Sequence, residues 1–152
     1  MRAAVDEVSM RIAAEPEKLY GLIADVSMMG RWSPECTGGR WLDGATGPAV
    51  GARFRGTNKR GLLRWSTTCE ITKAIPGKAF EWQVNHGMRW GYTFEPDDSG
   101  GTVVTEYRER TKKPPLLIRL FVKTGALGRD REQSMVDGMR MTLERLKAAA
   151  QA

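Results

Sequence analysis

The stretch that decides the fold is the last one, residues 129–152, RDREQSMVDGMRMTLERLKAAAQA. Met135, Met139, Leu143, Leu146 and Ala150 recur at helical spacing, so they form one apolar stripe along a helix of about six turns. Such a stripe must be covered by something else in the chain. Asp130 and Glu132 suit the first turn, where the helix dipole favours negative charge. Gly138 is the exception inside the pattern, because glycine in a helix costs about 1 kcal/mol relative to alanine. The missing side chain must serve either close approach of the helix to a sheet or the volume of a cavity.

Upstream, the text reads mostly as strands. Val5 to Ala13 alternates, with Val8, Met10 and Ile12 on one face and Glu7, Ser9 and Arg11 on the other. Pro16 can open a helix without losing a needed donor; Leu19, Tyr20, Leu22 and Ile23 give it an apolar side as far as Asp25. Val26 to Trp32 predicts a second short helical turn, stopped by Ser33-Pro34. From Glu35 onward, strands are predicted at Gly39 to Leu42, Ala52 to Asn58, Leu63 to Ala74, Ala79 to His86, Arg89 to Glu95 and Thr102 to Thr111, separated by glycine-rich breaks. Connections this short pair sequence neighbours antiparallel, giving a seven-stranded meander when the first strand is counted. One face of that sheet is apolar by parity and the other, carrying Arg53, Arg55, Glu81, Gln83, Arg89, Glu95, Glu106 and Arg108, reads as wet. The apolar face needs a cover, and the C-terminal helix is long enough to supply it.

At 152 residues, with 41% hydrophobic and 28% charged residues, the chain fits one domain spanning 1–152 with an ordinary soluble composition. The longest apolar-rich run, Leu116 to Val122, is broken by Arg119 and too short to span a bilayer. No leader is recognised at the N-terminus, so a cytoplasmic setting is expected. Cys36 and Cys69 lack metal or framework spacing and are expected to stay reduced. A net charge of +6 admits nucleic acid, acidic lipid or anionic ligands as partners without choosing among them.

Several motifs carry a family resemblance: Asp25 and Trp32-Ser33-Pro34 in ADVSMMGRWSPE, Gly51, Arg53 and Phe54 in VGARFRG, Trp65 in LLRWSTTCEIT, Pro76-Gly77 and Phe80 in IPGKAFEW, and Tyr92 to Pro96 in YTFEP. With the ending GRDREQSMVDGMRMTLERLK, the chain resembles the START/birch-pollen-allergen-like (SRPBCC) superfamily, in its bacterial polyketide cyclase/dehydrase and lipid-transport branch, of actinobacterial type. The resemblance implies an α+β helix-grip fold: two short N-terminal helices and a curved seven-stranded antiparallel sheet wrapped around the long C-terminal helix. It also implies a hydrophobic or aromatic ligand, lipid-like or polyketide-like, between sheet and helix. Cyclase or dehydratase chemistry and an RNA- or ribosome-contacting role are the alternatives found in that superfamily.

The residues themselves place candidates in that space. By parity, Phe54, Asn58, Trp65, Thr67, Trp82, Trp90, Tyr92 and Tyr107 face the helix, and Met135, Gly138, Met139 and Thr142 face the sheet; together they are the expected ligand-binding set. Each polar member could equally satisfy itself on solvent or backbone. For proton transfer the candidates are Tyr92, Tyr107, Glu109 and the sole histidine, His86. Leu116, Leu117, Leu120 and Phe121 are expected to form a mobile portal. No phosphate loop, GxSxG, HExxH or metal-spaced cluster occurs, and neither metal nor cofactor is expected. Arg53, Arg55, Lys59, Arg60 and Arg64 form a basic run without aromatic stacking residues on its outer parity, which reads as a solvated hairpin face more readily than a nucleic-acid surface. Transient contact with an anionic membrane stays open.

Overall fold

The structure of the protein, a computed structural model, describes residues 4–85, 87–111 and 128–152, with side chains described for 6–85, 87–111 and 133–152. His86 and the portal candidates Leu116, Leu117, Leu120 and Phe121 lie outside the described residues. Strand β1 (Ala4–Ile12) leads into helix α1 (Pro16–Ala24), a 3-10 turn (Val26–Met28) and helix α2 (Met29–Trp32). Pro16 occupies the first turn of α1, which buries Leu19, Tyr20, Ile23 and Ala24. Asp25 caps the 3-10 turn, its Oδ1 accepting from the Ser27 amide at 3.1 Å and the Ser27 hydroxyl at 2.6 Å. Ser33 is extended, as a residue before proline prefers, and ends α2.

Six strands follow: β2 (Cys36–Trp41), β3 (Arg53–Arg60), β4 (Leu63–Ile75), β5 (Ala79–Val84), β6 (Met88–Pro96) and β7 (Thr102–Arg110); helix α3 (Gly128–Ala150) closes the chain. The sheet order is β1-β7-β6-β5-β4-β3-β2 with every pairing antiparallel. Strands β2 to β7 form the expected meander. β1 departs from it, pairing with β7 at the opposite edge because the helical segment carries the chain across before β2 begins. Gly39 allows that crossing: a Cβ there would sit 2.6 Å from the Val26 carbonyl oxygen. The helix-grip fold expected from the resemblance is the fold observed.

Helix α3 grips best at its C-terminal half. Leu143, Leu146 and Ala150 are buried with Ile12, Leu19, Ile23 and Val104 in one core. Its end is fastened by polar contacts: Lys18 Nζ donates to the Ala150 carbonyl at 2.9 Å, and the Ala13 amide donates to Gln151 Oε1 at 2.7 Å. The lysine satisfies a carbonyl that the helix leaves unpaired and lies at the negative end of its dipole. Gly138 does not serve close helix–sheet approach. A Cβ there would meet Pro34 at 3.4 Å, an ordinary contact with the turn after α2.

One strand was assigned to the wrong face by parity. In β7 the register sets Glu106 beside Tyr92 of β6 and Val8 of β1, and Tyr107 beside Gly91. Thr102, Val104, Glu106 and Arg108 therefore lie on the inner face, Arg108 over the Trp90 ring and paired with Asp6, whereas Val103, Thr105, Tyr107 and Glu109 point to the outer face. Gly91 leaves the space the Tyr107 ring fills, since a Cβ there would fall 2.4 Å from the Tyr107 hydroxyl. Expected outcomes for stability follow from burial. Leu146→Ala, at a fully buried position, should cost about 2–5 kcal/mol in urea unfolding, while Leu63→Ala, at 65% exposure on the hairpin, should change stability by no more than about 0.5 kcal/mol.

Candidate functional site

Between the N-terminal half of α3 and strands β3 to β6 the grip is loose, and a cavity of about 480 Å³ remains. Small-molecule sites run from roughly 300 to 1,000 Å³. Eleven of the twelve expected ligand-site residues line it: Phe54, Asn58, Trp65, Thr67, Trp82, Trp90, Tyr92, Met135, Gly138, Met139 and Thr142. Tyr107 is the one the structure places elsewhere. The strands deliver alternate side chains to this wall, and the helix delivers Met135, Gly138, Met139 and Thr142 from adjacent turns. Thr142 spends its hydroxyl on the Gly138 carbonyl at 2.9 Å, so it presents its methyl side as much as its oxygen.

The wall is a chain of rings. Trp41 meets Phe54 at 5.9 Å, Phe54 meets Trp82 at 5.9 Å, and Trp82 meets Tyr92 at 6.0 Å, the first two pairs edge to face. Such pairs hold one another in place and give a rigid apolar surface. Toward solvent the lining turns polar with Glu35, Lys59, Arg60 and Ser134.

The polar end of the interior centres on Glu106, a residue that parity reasoning sent to solvent. It is 4% exposed, and burial pushes its carboxyl up from 4.5 to about 8, against a smaller opposing effect of hydrogen bonding with Tyr92. Its Oε1 has no hydrogen-bond partner among the described residues. Burial, reinforced by the Glu106 charge, holds the Tyr92 hydroxyl well above the ordinary tyrosine range. Cys36 and Cys69 also line the cavity as free thiols. Burial raises Cys36, and raises Cys69 to about 11, so neither is a ready nucleophile. What the interior offers at neutral pH is therefore a mostly protonated acid, a phenol and two thiols, all uncharged. Among the described residues no cluster of His, Cys, Asp or Glu could hold a metal ion.

Tyr107 and Glu109, two of the proton-transfer candidates, belong to a different structure on the outer face. The Tyr107 hydroxyl donates to Glu81 Oε2; Thr72 donates to Glu81 Oε1 at 2.8 Å; Arg89 lies 3.5 Å from Glu81 and 3.6 Å from Glu109. Glu81, expected on a wet surface, is 2% exposed. The sheet separates this cluster from the cavity. Parity failed in β7 because both of its faces bury side chains, so the tyrosine looked like the core residue. The available signal was across strands: Glu81 and Arg89 already formed an outward charged set that Tyr107 and Glu109 could complete, and Gly91 supplied the space.

A family model described as polyketide cyclase / dehydrase and lipid transport matches residues 4–151. The polyketide-cyclase-like protein Cgl2372 from Corynebacterium glutamicum shares 34% identity and superposes with a TM-score of 0.63 over 93% of this chain and 88% of its own. Two more distant structures show the same fold. A START superfamily protein from Mycobacterium smegmatis gives a TM-score of 0.71 at 11% identity, covering 96% of each chain. The di-domain ARO/CYC StfQ of the steffimycin biosynthetic pathway gives 0.72 at 13% identity, over 96% of this chain and 50% of its own. No curated protein sequence matches the chain.

The buried acid has a thermodynamic signature. The native state holds the Glu106 proton between the ordinary value of 4.5 and about 8, where the unfolded chain has released it, so this group's contribution to stability falls as pH rises through that window. Relative to the wild type, Glu106→Gln should remove that loss, seen as a stability difference between the two that grows in the variant's favour from acid to alkaline pH. Tyr107→Phe should cost roughly 1–3 kcal/mol by removing the hydrogen bond to buried Glu81 Oε2, yet leave ligand affinity unchanged when both are measured on the same protein.

Proposed function

Since this chain belongs to the polyketide cyclase / dehydrase and lipid transport family, we propose that it binds and carries a hydrophobic, aromatic small molecule, lipid-like or polyketide-like, in the cavity beneath α3. The observation that carries this reading is a 480 Å³ space walled by Phe54, Trp65, Trp82 and Trp90 and closed by an adaptable helix face of Met135 and Met139. Rings against rings and thioethers give affinity without demanding one ligand shape. Apolar burial contributes on the order of 25 cal/mol per Å² before the cost of association is met. Among the described residues no helix is long and apolar enough to cross a membrane. The free thiols of Cys36 and Cys69 suit the reducing cytoplasm we propose as its setting.

A second reading, catalysis of a cyclisation or dehydration, draws support from Glu106, whose carboxyl is brought close to neutral pH, where a general acid or base works best. Among the described residues considered from sequence for that role, Tyr92 is the one at the cavity. The basic hairpin speaks less for RNA: Arg53 pairs with Asp43 at 3.3 Å, and the hairpin tip exposes Leu62 and Leu63 in place of stacking aromatics.

Native mass spectrometry of protein purified from its own cells should show a retained apolar ligand of unaltered mass on renewed incubation. A ligand recovered with the elements of water lost would favour catalysis. Gly138→Leu, which puts a branched side chain into the lining beside Pro34, should keep the fold by circular dichroism and lower the retained fraction at least about tenfold, the effect of losing roughly 1.4 kcal/mol. Unchanged retention in that variant would count against this cavity.

A further inference from the structure

Glu106 is costly to the fold, and among the described residues the Tyr92 hydroxyl offsets only part of that cost. A buried polar atom without a hydrogen bond loses its hydration for nothing, which is why native interiors rarely keep one. Here Oε1 is such an atom, on a side chain 96% shielded from solvent by its 4% exposure, in a residue that lines the cavity. Its sheet neighbours in register, Val8 and Tyr92, leave it there: the valine has nothing to donate, and the tyrosine hydroxyl interacts with the same carboxyl without occupying Oε1. From the helix side come Met139 and Thr142, the latter's hydroxyl already given to Gly138.

The surroundings also set which state of the carboxyl a ligand meets. The groups that titrate around it are Tyr92 on β6, Cys36 on β2 and Cys69 on β4, all held in their neutral forms by burial. The charged lining residues Glu35, Lys59 and Arg60 belong to segments at or next to the exposed end of β3, and among its described side chains α3 contributes no charged residue to the lining. The next side chain on the same face of β7 is the cation Arg108, which is paired with Asp6 and lies over the Trp90 ring. Burial keeps the proton on the Glu106 carboxyl at neutral pH, so it can be donated in a hydrogen bond, as a solvated glutamate could not.

Resting on the ligand-carrier reading above, we propose that the ligand bears a neutral acceptor oxygen, a ketone, quinone or ester carbonyl, which accepts a hydrogen bond from the Glu106 acid while its aromatic body lies along Phe54, Trp82 and Tyr92. The same site discriminates in two directions. A plain hydrocarbon leaves Oε1 unsatisfied. A carboxylate brings a second acidic group against the Glu106 carboxyl, where the neighbouring Arg108 is already paired with Asp6, and is rejected.

The test uses three naphthalene probes of nearly equal shape: 2-acetylnaphthalene, 2-ethylnaphthalene and 2-naphthoate, titrated by tryptophan fluorescence into the intact chain. At about pH 6 the ketone should bind about tenfold tighter than the hydrocarbon, and more tightly than the carboxylate; near pH 9.5 the ketone's advantage should shrink as Glu106 ionises. Glu106→Leu should bind ketone and hydrocarbon alike. Glu106→Gln, which keeps an N–H donor but cannot ionise, should preserve the preference and make it independent of pH. Equal binding of ketone and hydrocarbon by the wild type, a preference that survives Glu106→Leu, or tighter binding of the carboxylate overturns the proposal while leaving the carrier reading intact. Failure of all three probes to bind overturns both. Should Glu106→Leu fail to fold, the pH profiles of the wild type and Glu106→Gln decide alone, since a purely structural glutamate would give the two the same ketone-to-hydrocarbon ratio at every pH.

Discussion

Everything in this molecule depends on the contact between one helix and one face of a sheet. A seven-stranded antiparallel sheet with an apolar concave side cannot stand in water uncovered, and a lone amphipathic helix has little stability of its own. The two needs are met together where Leu143, Leu146 and Ala150 bury against Ile12, Leu19, Ile23 and Val104. Lys18 and Gln151 then fasten the end of the helix to the start of the chain. Because the fastening is concentrated at one end, the other end can stand off from the sheet. The cavity is that stand-off, and the stability of the gripped half is what allows the remainder to be hollow.

The two faces of the sheet solve the problem of buried charge in opposite ways. On the outer face Glu81 and Glu109 are compensated by Tyr107, Thr72, Arg89 and, at 3.9 Å from Glu81, Lys73, so carboxylates there have donors and cations at hand. On the inner face Glu106 has a phenol beside it, the nearby Arg108 is paired with Asp6, and the Glu106 proton stays on to about pH 8. The same residue type is thus tied into ion pairs on one side and held as a neutral acid on the other. Three strands separated by one hydrogen-bonded spacing each are enough to produce both environments, because Arg89 and Lys73 serve the carboxylates of one face, while tryptophan lines the other, where Arg108 is given to Asp6.

Much of the site was legible before any coordinates. Phe54, Trp65, Trp82, Trp90 and Tyr92 announced their direction through period-two alternation against charged neighbours, and Met135, Gly138, Met139 and Thr142 through helical spacing. Gly138 pointed to a place where a side chain was unwanted, although its neighbour turned out to be Pro34 on the helical turn instead of the sheet. Cys36 and Cys69 were seen as thiols without a role, since nothing local says that strands β2 and β4 bring both to one space. Glu106 was hidden more deeply. A glutamate between two polar residues reads as surface by every local rule, and its burial depends on Val8 and Tyr92, which are distant in sequence.

The amino-acid sequence by itself determined the periods: where helices and strands run, which stripe of α3 is apolar, and that a one-sided sheet and a long helix must meet in a helix-grip arrangement. Those properties are local, written in spacing, proline and glycine, and survive any ambiguity of assembly. The tertiary structure alone decided which parity of β7 faces inward, that β1 joins the sheet beside β7, and that the acid beneath the helix is Glu106 while Tyr107 and Glu109 turn outward. A strand's alternation defines two faces without naming them. When both faces bury side chains, the choice is made by the neighbours across the sheet, here by Gly91 making room for Tyr107 and Tyr92 standing beside Glu106.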